Sequence, residues 1–276
     1  MSEYISAMFS YPFMQRAFLV GLLVSACASL LGVNLVLKRY SMIGDGLSHV
    51  GFGALAAASA LQLAPLAVAV PVVMIAAILL LRLSDGGKLK GDAAIAMIST
   101  GALAVGVMVV SLTTGMNADL NSYMFGSILA MRQEDVVLSV LLSLAVLILY
   151  VLFYDKIFAV TFDETFAKAT GVHTGAFNML LAVLTAVTVV LGMRMMGALL
   201  ISSLIIFPAL TAMRVCRHYR SVILCALGVS LFGFLMGMTL SFLYATPVGA
   251  SIVVTDIVLY GIFCGIGALR ERVTKA

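Results

Sequence analysis

Long apolar runs broken by short polar intervals make up this chain from end to end. Between the breaks lie nine windows: Ala17–Leu37, Leu47–Gln62, Pro65–Leu81, Ala93–Leu112, Val136–Tyr154, Ala176–Met193, Met196–Met213, Val222–Leu243 and Ala250–Leu269. A run of about 20 apolar residues crosses a bilayer as a helix. The pattern therefore predicts an all-α polytopic membrane bundle of eight to nine spans, read as one transmembrane domain over residues 1–276. The window Leu47–Gln62 is short and rich in Gly, Ala and Ser. Such a segment packs within a bundle, where small residues let helix backbones approach closely, and not against lipid.

The breaks carry the orientation. With the N-terminus outside, one set holds Lys38, Arg39, Arg82, Lys88, Lys90, Lys156, Lys168, Arg214, Arg217, Arg220, Arg270, Arg272 and Lys275, and the other holds only Arg16, Arg132 and Arg194. Basic residues concentrate on the cytoplasmic side of membrane proteins, which predicts N-terminus out and C-terminus in. Between the fourth and fifth windows, Tyr123–Met131 is too short to cross. It predicts a short re-entrant or surface helix at about 121–131.

Composition agrees and excludes several classes. Hydrophobic residues make up 63% of the chain and charged residues 10%, with a mean hydropathy of +1.18. A water-soluble domain carries about 25% charged residues. The basic residues form no patch with interleaved aromatics, so nucleic acid is not an expected partner. Cys27, Cys216, Cys225 and Cys264 show no ligand spacing and read as small buried thiols. The segment "LVSAC" ending at Cys27 resembles a lipoprotein signal, but the apolar run continues to Lys38, as a membrane span does and a signal does not. No G-x-x-x-x-G-K-[ST] loop is present to hold a nucleotide, so hydrolysis of ATP is not expected of this chain.

Few residues remain to carry chemistry. In "MIGDGLSHVGFG", residues 42–53, Asp45 and His49 lie four apart and share one helix face. A carboxylate and a neutral imidazole suit Zn²⁺, Mn²⁺ or Fe²⁺; the plainer reading is a polar cap on a membrane helix. Asp256 lies within the last window, where it would pair with a basic residue, bond neighbouring hydroxyls or face a pathway. The 17 methionines, "GMRMMG" among them, read as core filler rather than copper ligands.

The largest break on the cytoplasmic side, residues 155–175, reads "DKIFAVTFDETFAKATGVHTG". Within it, Asp163 to Thr170 predicts a short amphipathic helix. Phe162 and Phe166 lie four apart, Asp163 and Glu164 stand in the first turn, and Gly171 ends it. Such a helix is either a solvated link between spans or a knob that docks into a soluble partner.

Four stretches, in order, resemble the membrane permeases of ABC-type zinc and manganese importers: "RYSMIGDGLSHVGFGALA", "DLNSYMFGSILA", "FDETFAKATGV" and "MMGALLISSLIIFPALTA". The similarity runs from about Ala17 to Leu269. It implies a non-catalytic permease of the bacterial inner membrane with no permanently bound cofactor. Its cargo is a divalent metal, Zn²⁺ first and otherwise Mn²⁺ or Fe²⁺, met by Asp45 and His49. It also implies that Asp163, Glu164, Ala167 and Gly171 fall on a coupling helix seated in a cytoplasmic ATPase dimer. A second copy of the permease would complete the pathway. An extracytoplasmic metal-binding protein would dock around Asp119–Tyr123 and the 244–249 turn. Asp256 and Ser127 are candidate pathway residues. Many zinc members carry Asp where Ser127 stands, which leaves the metal open. A proton- or sodium-coupled metal transporter using Asp45, His49 and Asp256 is the competing expectation, and a membrane scaffold without transport is a third.

Overall fold

The computed structural model describes residues 11–85, 91–113 and 133–275, and every regular element among them is helical. In chain order these are α1 (Pro12–Leu37), α2 (Ile43–Ala60), α3 (Pro65–Asp85), α4 (Gly91–Leu112), α5 (Gln133–Leu152), α6 (Tyr154–Phe162), α7 (Glu164–Ala169), α8 (Thr174–Met196), α9 (Ala198–Val215), α10 (Tyr219–Tyr244) and α11 (Val248–Lys275). Each of the nine apolar windows falls on one of these helices. Seven of them (α1, α3, α4, α5, α8, α10 and α11) are long and apolar enough to cross a membrane, and α9 contains the shorter apolar stretch Leu200–Val215. The chain is a multi-pass membrane protein. The expected helix near 121–131, with Ser127, lies outside the described residues.

The bundle is built around α1. Of the most apolar stretch of α1, 72% is buried inside the protein, against 11% for α11, so the first helix is the central post and the last a peripheral one. A helix apolar on all sides is expected to be surrounded. α1 packs against α9, α10, α8 and α5, while α2 lies between α4 and α3. Twelve of the 18 residues of α2 are buried, in keeping with an inner helix.

Glycines set the closest approaches. A Cβ at Gly32 of α1 would stand 2.0 Å from the backbone oxygen of Ile205 on α9. At Gly53 of α2 it would stand 2.7 Å from the carbonyl oxygen of Ala102, and at Gly106 of α4 it would stand 2.8 Å from the Cα of Gly53. In a membrane, where burial of apolar surface no longer favours helix pairing, contact at this range holds helices together. Two of these approaches seat α2 directly against α4, and the third seats α1 against α9.

One buried polar knot stands out in this apolar interior. Asn34 on α1 is fully buried, and its amide uses its full bonding capacity. Its Nδ2 donates to the Leu30 carbonyl at 2.9 Å and to Tyr150 Oη at 2.9 Å. Its Oδ1 accepts from Tyr219 Oη at 2.7 Å and from Thr161 Oγ1 at 3.0 Å. The knot thus joins α1, α5, α6 and α10.

Candidate metal site and coupling loop

Asp45 stands in the first turn of α2 and His49 one turn further along. His49 Nε2 lies 3.7 Å from Asp45 Oδ2, and their side chains are 30% and 41% exposed. They stand part-exposed in a stretch whose neighbouring residues Gly44, Gly46, Leu47, Ser48 and Val50 are all buried. The other carboxylate oxygen, Oδ1, accepts a long hydrogen bond of 3.4 Å from Ser202 Oγ on α9. Ser48 Oγ donates back to the Asp45 carbonyl at 2.7 Å. Asp45 is thereby oriented from one side with an oxygen left toward His49.

The spacing fits a shared metal. Donors at about 2.0–2.2 Å from a tetrahedral ion lie about 3.4 Å apart, so a shift of a few tenths of an ångström brings this pair into bite. Among the described residues no group of three or more His, Cys, Asp or Glu side chains is placed to hold a metal. The described residues of one chain therefore offer two such donors here.

Ser202 carried no signal in the sequence, since a serine inside "ALLISSLIIF" looks like any other small residue in an apolar helix. The fold gives it a role by laying α9 along α2. Ile205, one turn beyond Ser202, is buried and lies under both Gly32 and Gly44.

Asp256 is placed elsewhere. It is 1% exposed on α11, against Gly233 of α10, and neither carboxylate oxygen has a hydrogen-bond partner among the described residues. Among the described residues it makes neither the basic pairing nor the hydroxyl bonds considered for it.

The loop over residues 155–175 holds two helices, α6 and α7, with a break at Asp163. Asp163 is extended, at φ −146° and ψ 96°, and accepts from the Phe166 N–H at 2.8 Å, the bond expected of a helix N-cap. At the other end Gly171 adopts φ +86°. Its N–H donates to the Lys168 carbonyl at 3.1 Å and the Val172 N–H to the Ala167 carbonyl at 3.0 Å, the paired closure of a Schellman motif. A Cβ at Gly171 would meet nothing within 4 Å, so backbone conformation and not crowding calls for glycine. Ala167 is fully buried within this chain, whereas Phe162 and Phe166 remain largely exposed, at 57% and 64%. Glu164 contacts Lys38 and Asn178, as set out below. A cleft of about 590 Å³, lined in part by Glu164, Lys168, Gly171 and His173, opens beside α7.

The description "ABC 3 transport family" matches residues 10–265. The chain belongs to the ABC 3 transport family. Among its relatives, the high-affinity zinc uptake system membrane protein ZnuB of Haemophilus influenzae is 31% identical over 244 residues, which is 88% of this chain and 94% of that protein. The manganese import system permease protein ScaB of Streptococcus gordonii is 25% identical over 258 residues, 94% of this chain and 92% of its own. Among solved structures, PsaBC from Streptococcus pneumoniae in complex with Fab superposes with a TM-score of 0.85 at 27% identity, covering 95% of this chain and 94% of that one. As an ABC 3 family member, the chain is a metal-transporter permease of the zinc and manganese type.

Proposed function

We propose that this chain is the membrane subunit of an ATP-driven importer that passes a divalent transition metal from an extracytoplasmic binding protein to the cytoplasm. Zinc is the cargo we favour, ahead of manganese and iron. The observation that carries the reading is the Asp45–His49 pair, part-exposed on a helix of which twelve of 18 residues are buried in the bundle. A carboxylate and an imidazole match zinc's borderline ligand preference, and a relative of 31% identity is named for zinc uptake. Two donors are fewer than the four of a structural zinc site. In a transit site this is an advantage, because the ion must leave as readily as it enters.

A second copy of the chain on a two-fold axis would bring an identical pair. Four donors could then enclose the ion in one state and part in another. The residue 155–175 loop is the part we assign to the ATPase, which a separate subunit would supply as a dimer. Asp163 and Gly171 define the two ends of α7, Ala167 fixes it to the bundle, and Glu164 ties it to α1. The exposed Phe162 and Phe166 are the surface for the partner. Serving as one transmembrane domain of the bacterial inner membrane, with N-terminus out and C-terminus in, the chain would present this loop to the cytoplasm. Asp256 and Ser127 remain candidate pathway residues in this reading.

Metal uptake into proteoliposomes holding the permease, its ATPase and its binding protein tests the proposal. ATP-dependent zinc accumulation is the expected result. Uptake driven by a proton or sodium gradient without ATP would overturn it in favour of a secondary transporter.

A further inference from the structure

The last turn of α1 grips the 155–175 loop at two points. Lys38, at the C-cap of α1, donates through Nζ to Asn178 Oδ1 on α8 and lies 3.5 Å from Glu164 Oε2 on α7. Asn178 Nδ2 donates to the other carboxylate oxygen, Glu164 Oε1, at 3.1 Å, which closes a ring of three residues from three helices. The Lys38 side chain is 10% exposed although its charge stands at a helix end. One turn earlier, Asn34 holds Thr161 of α6 in the knot described above.

The chain beyond Lys38 has little slack. The Lys38 N–H donates to the Asn34 carbonyl, Arg39 N–H to Val36 and Tyr40 N–H to Leu35, and then Ile43 N–H to Tyr40, so both ends of the turn are tied by backbone hydrogen bonds. Arg39 sits at φ 61°, the left-handed C′ position of the Schellman motif that closes α1. Seven residues after Lys38 comes Asp45.

We propose that Lys38, positioned by Glu164 and Asn178, converts displacement of the coupling loop into movement of the first turn of α2, and so of Asp45 relative to Ser202 and His49. This rests on the transport reading and adds to it the route by which the loop reaches the metal pair. Lys38 and Asn34 are positioning residues that touch no cargo. Glu164 is half-exposed, but the Lys38 side chain is largely enclosed and Asn178 is buried. Loss of the ring therefore leaves a buried polar group short of a partner and costs some stability, while it uncouples a permease that stays assembled.

The test uses the reconstituted importer with Lys38→Met, Glu164→Gln and the exchange Lys38→Glu/Glu164→Lys, reading zinc transported per ATP hydrolysed. The single variants should lower that ratio about fivefold, which lies within the range by which residues along a coupling network alter coupling. The exchange variant should recover most of it, because the Asn178 amide can turn end for end to serve the reversed polarity. ATPase assembly should stay at the wild-type level, with at most a small fall in unfolding temperature. A second measurement needs neither ATP nor partners: amide hydrogen exchange over residues 38–46 should rise in Glu164→Gln. Single variants that keep the wild-type ratio, an exchange variant that recovers nothing, or unchanged amide exchange each overturn the proposal. Wild-type vesicles that move no zinc with ATP would overturn the transport reading and this route together.

Discussion

Gly233 on α10 leaves open the volume that Asp256 fills from α11, since a Cβ at position 233 would lie 2.3 Å from Asp256 Oδ1. The contact pairs the residue with the least side chain and a carboxylate that has no hydrogen-bond partner among the described residues. Gly233→Ala is expected to lower stability by about 1–3 kcal/mol through overpacking, seen as an earlier thermal unfolding transition in detergent. Adding Asp256→Ala should remove the clash and recover most of the loss. Asp256→Leu alone should unfold no earlier than wild type, because a buried carboxylate without a partner is costly to keep. A clear fall in that transition would show that the carboxylate has a structural partner.

At the metal pair, Asp45→Ala and His49→Ala should each abolish zinc uptake while the permease–ATPase assembly stays intact. Ser202→Ala removes one long hydrogen bond to Oδ1. Its expected effect is a partial loss, about fivefold for a contribution near 1 kcal/mol. Uptake at wild-type levels in both alanine variants would reduce the pair to a polar helix end.

Two glycines facing the same residue should behave differently. A Cβ at Gly32 would meet the Ile205 backbone oxygen at 2.0 Å, whereas one at Gly44 would meet the Ile205 Cδ1 methyl at 2.8 Å. A backbone oxygen cannot move without shifting α9, but a methyl can turn away. Gly32→Ala should therefore prevent assembly or cost more than about 3 kcal/mol, and Gly44→Ala should stay under that, at the small end of overpacking effects. Comparison of unfolding transitions and of purified yield separates the two.

Asn34→Leu removes an acceptor shared by Tyr219 and Thr161 and the donor to Tyr150. Each buried polar group left unpaired costs about 1–3 kcal/mol, so this variant should be among the most destabilised single substitutions in α1. Asn34→Ala combined with Tyr219→Phe and Thr161→Val should lose less than the separate losses predict. Strict additivity would argue against a shared knot.

Gly171→Ala introduces a side chain at φ +86° with open space around it. The cost is about 1–2 kcal/mol of backbone strain, and it falls on α7 alone. Hydrogen exchange should quicken over residues 164–172 while the bundle helices keep their protection.

Much of the fold was legible because a membrane span needs only local information. All nine apolar windows became helices, and the ends of α7 followed from Asp163 and Gly171, whose chemistry acts within four residues. The buried state of α2 could be read from its Gly, Ala and Ser content. The relationships that organise the site could not be read this way. Asn34 stood within "ASLLGVNLVL" as one polar residue in an apolar run, and its partners lie 116 to 185 residues away in sequence. Ser202 meets Asp45 across 157 residues, and Lys38 meets Glu164 across 126. Nothing local distinguishes these side chains from neighbours that face lipid or solvent.

The burial of α2 bears on how the protein is made. Asp45, His49, Ser48 and Ser59 leave α2 outside the set of helices apolar enough to cross a membrane on their own account. Machinery that inserts segments by their partition into lipid has little reason to retain it alone, since an aspartate opposes insertion. α2 would enter as a passenger of α1 and α3 and find its place only once α4 and α9 close around it. The helix that carries Asp45 and His49 is then the last to settle, and a chain truncated before α9 would leave that pair without a stable home in the bilayer.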